Sequence, residues 1–220
     1  MMVTTRNNPI LTNIGNTVAF LVCMITEYAK YGSILSMIKH QPRINNKLII
    51  KFMLDVSRGI KYLHSNGILH RDIKSDNILI VSLNPNDICA KLTDFGASRN
   101  INMLQTNMTF TNGIGTPMYM SPELLNKQKY KLPSDIFSYS ILMYEIWIWN
   151  KPYPQTDERF KFAWGIANFI TEGKRLEKPD DMNYKYYEII ENSWKQDPNE
   201  RLTINQIENK LNELYINYIN

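Results

Sequence analysis

The sequence predicts an α+β fold in which a mainly helical body carries a small β-hairpin. Apolar residues recur every three to four positions from Leu48 to Leu63, which is the spacing of a helix with one buried face. Apolar strand patterns separated by a turn follow between 78 and 92. Beyond Asp135 the chain favours helices, and no repeat or low-complexity tract divides it into two domains.

The first elements of the chain are predicted from apolar runs and a turn. Strands are expected at 10–14 and 18–25, around a turn at Gly15-Asn16. The helix that follows buries one residue per turn, at Leu48, Phe52, Val56, Ile60 and Leu63. Asn66-Gly67 ends this helix, because glycine readily adopts the left-handed conformation found at helix ends.

The hairpin comes directly after this helix. Its strands are expected at 78–80 and 90–92, joined by a turn at 84–87 that contains Asn, Pro and Asp. The helices beyond Asp135 are expected to bury their tryptophans in or near the core, at Trp147, Trp149, Trp164 and Trp194.

Composition limits the classes of protein that need to be considered. The chain has 220 residues, 44% hydrophobic and 21% charged, which suits one globular domain. Its formal net charge of +4 is spread along the sequence and does not indicate a nucleic-acid partner. The apolar runs at 18–25 and 136–149 are too short to span a bilayer, and no signal peptide is recognisable, so a cytoplasmic location is expected.

Three motifs carry the functional argument. The run His-Arg-Asp-Ile-Lys-Ser-Asp-Asn occupies 70–77, Asp-Phe-Gly occupies 94–96, and Gly-Thr-Pro-Met-Tyr-Met-Ser-Pro-Glu occupies 115–123. In this order they resemble the catalytic loop, the metal-binding loop and the end of the activation segment of eukaryotic protein kinases. The resemblance extends from about Asn8 to Tyr215 and is greatest to the serine/threonine kinases of the tyrosine-kinase-like group.

This resemblance implies a protein-kinase-like fold for residues 1–220. The expected parts are a remnant of the N-terminal lobe sheet at 8–26, a hinge at 27–30 and the C-terminal lobe at 31–220. The implied cofactors are ATP and Mg²⁺, and the implied partner is a protein substrate.

Four residues have the chemistry that phosphoryl transfer to a hydroxyl requires. By the resemblance, Asp72 orients the substrate hydroxyl and accepts its proton, and Lys74 steadies the γ-phosphate. Asn77 and Asp94, whose oxygens suit Mg²⁺, hold the metal and with it the nucleotide.

The resemblance also places the adenine of ATP. Thr26 would be the gatekeeper residue, the backbone of Glu27 and Ala29 would bond the edge of the base, and Leu79 would form the floor of the pocket. Simple strand packing is the competing interpretation for Thr26 and Leu79.

Further residues are implied to shape or regulate the site. His70 and Phe95 are expected to pack together, with Gly96 completing the metal-binding motif. Arg71 would pair with a phosphate added to Thr111, with Thr109 as the alternative, which is the known mode of switching in such kinases.

Four other positions are implied to fix the architecture and the acceptor. Glu123 would pair with Arg201, and Asp135 would open a buried helix and accept hydrogen bonds from backbone N–H groups of the catalytic loop. Lys74 and Thr116 indicate a serine or threonine acceptor, because tyrosine-specific members carry other residues there.

The 220 residues contain no Gly-x-Gly-x-x-Gly motif and no strand lysine ahead of the hinge. We therefore expect the rest of the N-terminal lobe as a partner, and little kinase activity from these residues alone. The competing functions are a noncatalytic kinase-like scaffold and an unrelated metal-dependent phosphoesterase. The latter would need a second cluster of ligands in a chain with only three histidines.

Overall fold

A computed structural model describes residues 12–14, 17–19, 26–84, 86–101 and 117–219 of the chain. At 12–14, 17–19 and 219 the description covers the backbone alone. The predicted sites at Thr109, Thr111 and Thr116 lie outside the described residues.

Most of the described chain is helical. The helices are α1 (Ile34–His40), α2 (Asn46–Ser65), α3 (Pro122–Leu125), α4 (Leu132–Ile148), α5 (Ala163–Thr171), α6 (Tyr184–Ser193) and α7 (Ile204–Ile219). Helix α2 contains the predicted apolar stripe and starts two residues before Leu48. Asn45 caps its N-terminus, because its side chain accepts a hydrogen bond from Leu48 N (2.9 Å). The predicted stop after α2 is confirmed, since Gly67 has a φ of +66°.

The strands form short antiparallel pairs. They are β1 (Thr12–Ile14), β2 (Thr17–Ala19), β3 (Ile68–Leu69), β4 (Ile78–Ser82), β5 (Cys89–Leu92) and β6 (Arg99–Asn100). Strand β1 pairs with β2, β3 with β6, and β4 with β5. The pair β4–β5 is the predicted hairpin, and it is confirmed with Leu79 opposite Lys91.

Helix α4 lies at the centre of the core. Every residue from Ser134 to Trp147 is buried, so this helix has no solvent-facing side over that length. It packs against α2 and α6, and α2 packs in turn against α7 and β5. Helix α4 begins at Leu132, and Asp135, predicted at the opening of a buried helix, lies within its first turn.

The prediction for the tryptophans is wrong at one position. Trp147, Trp149 and Trp194 are buried, but Trp164 is 66% exposed. Trp164 stacks on Phe162, which is 56% exposed, with the ring planes 11° apart.

Within the described residues, no helix is long and apolar enough to cross a membrane.

Candidate active site

The 70–77 loop connects β3 to β4 and packs against the hydrophobic core. Ile73 is 1% exposed and anchors the middle of the loop among buried side chains. A 3₁₀ turn at Ser75–Asn77 then leads directly into β4, with Asn77 N donating to Lys74 O (3.0 Å). The polar residues of the loop are therefore fixed at the edge of the β4–β5 hairpin.

Two predicted catalytic residues and one predicted metal ligand meet at one carboxylate. Lys74 Nζ donates to Asp72 Oδ2 at 2.7 Å, and Asn77 Nδ2 donates to the same oxygen at 2.9 Å. Asn77 Nδ2 also donates to the backbone oxygen of Asp72 (2.8 Å). Within the described part of the chain, both of these side-chain donors reach Oδ2 and none reaches Asp72 Oδ1.

The Asp94-Phe95-Gly96 turn is tied to the 70–77 loop by its preceding residue. Thr93 N donates to Asn77 O (2.9 Å), and Thr93 O accepts from His70 Nε2 (3.0 Å). Asp94 has a φ of +62°, an uncommon conformation for a residue other than glycine. Its Oδ1 accepts from Gly96 N (3.2 Å), and its side chain lies at the surface.

His70 and Phe95 are in contact, as predicted, but only one of them is buried. Their rings meet edge to face at 5.5 Å, with His70 fully buried and Phe95 50% exposed. Burial lowers the pKa of His70 despite the nearby carboxylates, so the ring is neutral at pH 7. A neutral ring agrees with its contacts, because Nε2 donates to Thr93 O while Nδ1 accepts from Asp72 N (3.3 Å).

Of the residues predicted to hold adenine, Leu79 lies on β4 and Glu27 contacts the neighbouring strand β5. Ile80 N donates to Gly32 O (2.9 Å) and Ser33 forms a bridge with Leu79, so the chain that leaves Ala29 runs beside this strand. Glu27 forms an ion pair with Lys91, the residue opposite Leu79 on β5. Thr26, the predicted gatekeeper, is exposed and comes directly before Glu27 in the chain.

Asp135 holds the 70–77 loop from within the core, as predicted. Its carboxylate accepts from His70 N at 2.9 Å and from Arg71 N at 3.0 Å. Two further donors were not predicted from the sequence, His64 Nε2 at 3.0 Å and the hydroxyl of Tyr130 at 2.6 Å. Burial alone would raise the pKa of Asp135, but these hydrogen bonds outweigh it and lower the pKa.

We expect Tyr130→Phe to destabilise the protein by about 1–2 kcal/mol and to move acid unfolding to higher pH. Tyr130 helps to lower the folded pKa of Asp135, and a lowered carboxyl pKa stabilises the fold above the unfolded pKa. That stability disappears as pH falls through the folded pKa, which the variant raises. Urea unfolding at several pH values measures the effect, with Tyr62→Phe as the control because Tyr62 is 70% exposed. Equal profiles for the two variants would contradict the prediction.

The predicted pair of Glu123 and Arg201 is present and buried. Arg201 Nη1 donates to Glu123 Oε1 at 2.9 Å, and Nη2 donates to Oε2 at 2.8 Å. Burial would raise the pKa of Glu123, but the Arg201 guanidinium outweighs it and lowers the pKa. The pair fixes α3, which contains Glu123, to the segment before α7.

Comparison with known proteins identifies the family. Residues 1–211 match the model of the family described as protein tyrosine and serine/threonine kinase. The chain belongs to this kinase family. The predicted membership and the kinase-like α+β fold class are therefore confirmed.

Individual relatives agree with the family match. The chain is 33% identical to the probable serine/threonine-protein kinase roco8 of Dictyostelium discoideum, over 90% of this chain and 11% of that protein. It is 36% identical to the RGS domain-containing serine/threonine-protein kinase A of the same organism, over 80% of this chain and 15% of that protein. It is 33% identical to the serine/threonine-protein kinase STY17 of Arabidopsis thaliana, over 88% of this chain and 32% of that protein. The chain thus spans less than a third of the length of these relatives.

Protein kinases use ATP with Mg²⁺, and the oxygens at this site suit that ion. The Asn77 side chain donates two hydrogen bonds, both from Nδ2, and no described residue donates a hydrogen bond to its Oδ1. Asp94 Oδ1 accepts a hydrogen bond from Gly96 N, and no cationic side chain of the described residues forms an ion pair with the Asp94 carboxylate. Asn77 and Asp94 thus carry the amide and carboxylate oxygens that would hold Mg²⁺.

Arg71 is the predicted partner of a phosphate on Thr111 or Thr109, and both threonines lie outside the described residues. Its guanidinium lies 5.7 Å from the centre of the Tyr130 ring, and its φ is +72°. Its Nε is buried without a partner among the described residues. Pairing with phosphorylated Thr111 stays a prediction.

Proposed function

We propose that the chain carries the catalytic C-terminal lobe of an ATP-dependent protein serine/threonine kinase, with residues 8–26 as the N-terminal lobe remnant and 27–30 as the hinge. The observation that carries the proposal is the meeting of Lys74, Asn77 and Asp72 at one carboxylate oxygen. This arrangement orients Asp72 and leaves its second oxygen for a substrate hydroxyl.

In the proposed reaction a serine or threonine hydroxyl of a protein substrate donates its proton to Asp72 Oδ1 as its oxygen bonds to the γ-phosphorus of ATP. The bond from that phosphorus to the bridging oxygen breaks, and ADP leaves. Lys74, within 2.7 Å of Asp72, supplies a positive charge next to the phosphate that moves. Asn77 and Asp94 would hold Mg²⁺, which neutralises charge on the phosphates when bound.

Other parts of the proposal concern binding and location. Glu27 and Ala29 would bond adenine through their backbone, with Thr26 at the back of the pocket and Leu79 beneath. Lys74 and Thr116 support the serine/threonine acceptor, and a role in cytoplasmic signalling goes with this class of enzyme.

The proposal is tested by phosphate transfer from Mg-ATP to matched peptides that carry serine, threonine or tyrosine. The assay uses the 220-residue chain and a fusion in which the upstream lobe of a relative supplies the Gly-rich loop and the strand lysine. We expect the fusion to label serine and threonine peptides, and the chain alone to bind Mg-ATP weakly with little transfer. A folded fusion that binds Mg-ATP but transfers nothing would favour the noncatalytic scaffold.

A further inference from the structure

A carboxyl group that the proposed reaction does not use lies inside the core. Glu145 belongs to α4 and is 2% exposed, although its neighbours along the helix are apolar. No lysine, arginine or histidine of the described residues forms an ion pair with it. A buried acid without a cation is costly to retain unless neutral donors compensate for its lost hydration.

Two hydroxyl groups provide that compensation. The Tyr119 hydroxyl donates to Glu145 Oε2 at 2.5 Å, and Ser75 Oγ donates to Oε1 at 3.0 Å. The two hydroxyl oxygens are 3.3 Å apart, which closes a triangle of polar groups. Both donor residues are buried, with Ser75 1% and Tyr119 9% exposed.

The two donors come from different parts of the site. Ser75 lies in the 70–77 loop between Lys74 and the turn that ends at Asn77. Tyr119 lies in a 3₁₀ turn of the 117–121 segment, which leads into α3. The two residues also contact each other directly, through their hydroxyl oxygens at 3.3 Å and between the Tyr119 hydroxyl and the backbone of Ser75.

We propose that Glu145 is a positioning residue that couples the 70–77 loop to the 117–121 segment through Ser75 and Tyr119. The inference rests on the proposed function only in naming the loop as catalytic. A carboxylate accepts hydrogen bonds at both oxygens, so it sets the direction of both hydroxyl groups at once. A change at one hydroxyl therefore alters the acceptor that the other one uses.

The charge of Glu145 is expected to change near neutral pH. Burial raises the pKa of Glu145 to about 7, and the negative charge of Asp76 acts in the same direction. The hydrogen bonds from Tyr119 and Ser75 lower the pKa, but they do not outweigh burial. Burial and the same carboxylate raise the pKa of Tyr119, so its hydroxyl stays protonated. Protonated Glu145 must itself donate a hydrogen bond, which reverses one of the two contacts.

Amide hydrogen exchange tests the coupling without any need for catalysis. The reporters are Asn77 N, which donates to Lys74 O (3.0 Å), and Met120 N, which donates to Pro117 O (3.2 Å). We expect Ser75→Ala to speed exchange at Met120 severalfold, and Tyr119→Phe to speed exchange at Asn77 severalfold. In a Glu145→Gln background each of these distant effects should shrink, because the shared carboxylate is gone.

A matched control removes another buried hydroxyl from the same helix. Ser140 is 0% exposed and its Oγ donates to Phe137 O (2.6 Å) within α4, so Ser140→Ala should change exchange at neither reporter. Changes confined to the mutated segment, or equal changes with Ser140→Ala, would overturn the proposal. Coupling in the chain, together with a folded fusion that binds Mg-ATP but transfers no phosphate, would refute the proposed function and leave the coupling intact.

The pH dependence of unfolding provides a second readout. A carboxyl whose folded pKa is raised binds its proton more tightly when folded, so its contribution to stability declines as pH rises from about 4.5 to about 7. Across that range the folding equilibrium constant of the wild type should fall by about two orders of magnitude relative to Glu145→Gln. Parallel profiles for the two proteins would show that Glu145 does not change charge there and would overturn the expected charge change, whereas the exchange experiment decides the coupling.

Discussion

Replacing Asp72 with asparagine is expected to lower kcat by roughly 10²- to 10⁴-fold and to leave the affinity for Mg-ATP almost unchanged. Asparagine preserves the size of the side chain but cannot accept the proton of the substrate hydroxyl. Asp94→Asn is expected to weaken Mg-ATP binding as well as kcat, because a negative oxygen is removed from the proposed metal site. Steady-state kinetics and nucleotide titration on the fusion separate these two patterns.

The control for both variants is Asp87→Asn. Asp87 is exposed in the turn of the hairpin, at its far end from the 70–77 loop, and it should change neither kcat nor nucleotide affinity. Mild and equal effects from Asp72→Asn and Asp94→Asn would remove the roles proposed for these two residues.

The largest loss of stability is expected from Arg201→Met, at about 3–5 kcal/mol. The arginine side chain is 0% exposed, and its removal leaves the Glu123 carboxylate buried without a cation. It also removes the donors to Pro133 O (2.8 Å) and Lys195 O (2.9 Å). Adding Glu123→Gln to this variant should restore part of the loss, because the unpaired charge is then gone.

Urea unfolding measures the loss, with Lys161→Met as the control. Lys161 pairs with Glu158 at 3.8 Å on the surface, where both side chains are more than half exposed, so its removal should cost under about 1 kcal/mol. Similar losses from the two substitutions would show that burial does not set the strength of the Arg201 pair. The pair should also weaken as pH falls through the lowered pKa of Glu123.

Elements with a local signal in the sequence were predicted correctly. The apolar stripe and the Asn66-Gly67 stop define α2, and the alternation of strands and turn residues defines the β4–β5 hairpin. These features depend on backbone geometry and on residues close together in the sequence. The clustering of Asp72, Lys74 and Asn77 follows in the same way, since one short loop carries all three.

Features that depend on distant partners were predicted only where the family resemblance supplied the partner, as for Glu123 and Arg201. Tyr130 and His64 bond Asp135 from separate elements, and no motif includes either of them. Glu145 is a charged residue within the apolar run at 136–149, and its donors Ser75 and Tyr119 lie 70 and 26 residues away along the chain. Burial of an apolar side chain likewise depends on what packs against it, which is why hydrophobicity alone placed Trp164 wrongly in the core.

The position of Trp164 has a consequence for fluorescence spectroscopy of this chain. Trp147, Trp149 and Trp194 are at most 9% exposed, whereas Trp164 is 66% exposed and stacks on Phe162. Emission from the native protein therefore combines a solvent-relaxed contribution from Trp164 with a shorter-wavelength contribution from the interior, and acrylamide quenches the first far more readily. A Trp164→Phe variant would leave the three interior indoles as the only tryptophan emitters, so that a red shift then reports their hydration alone.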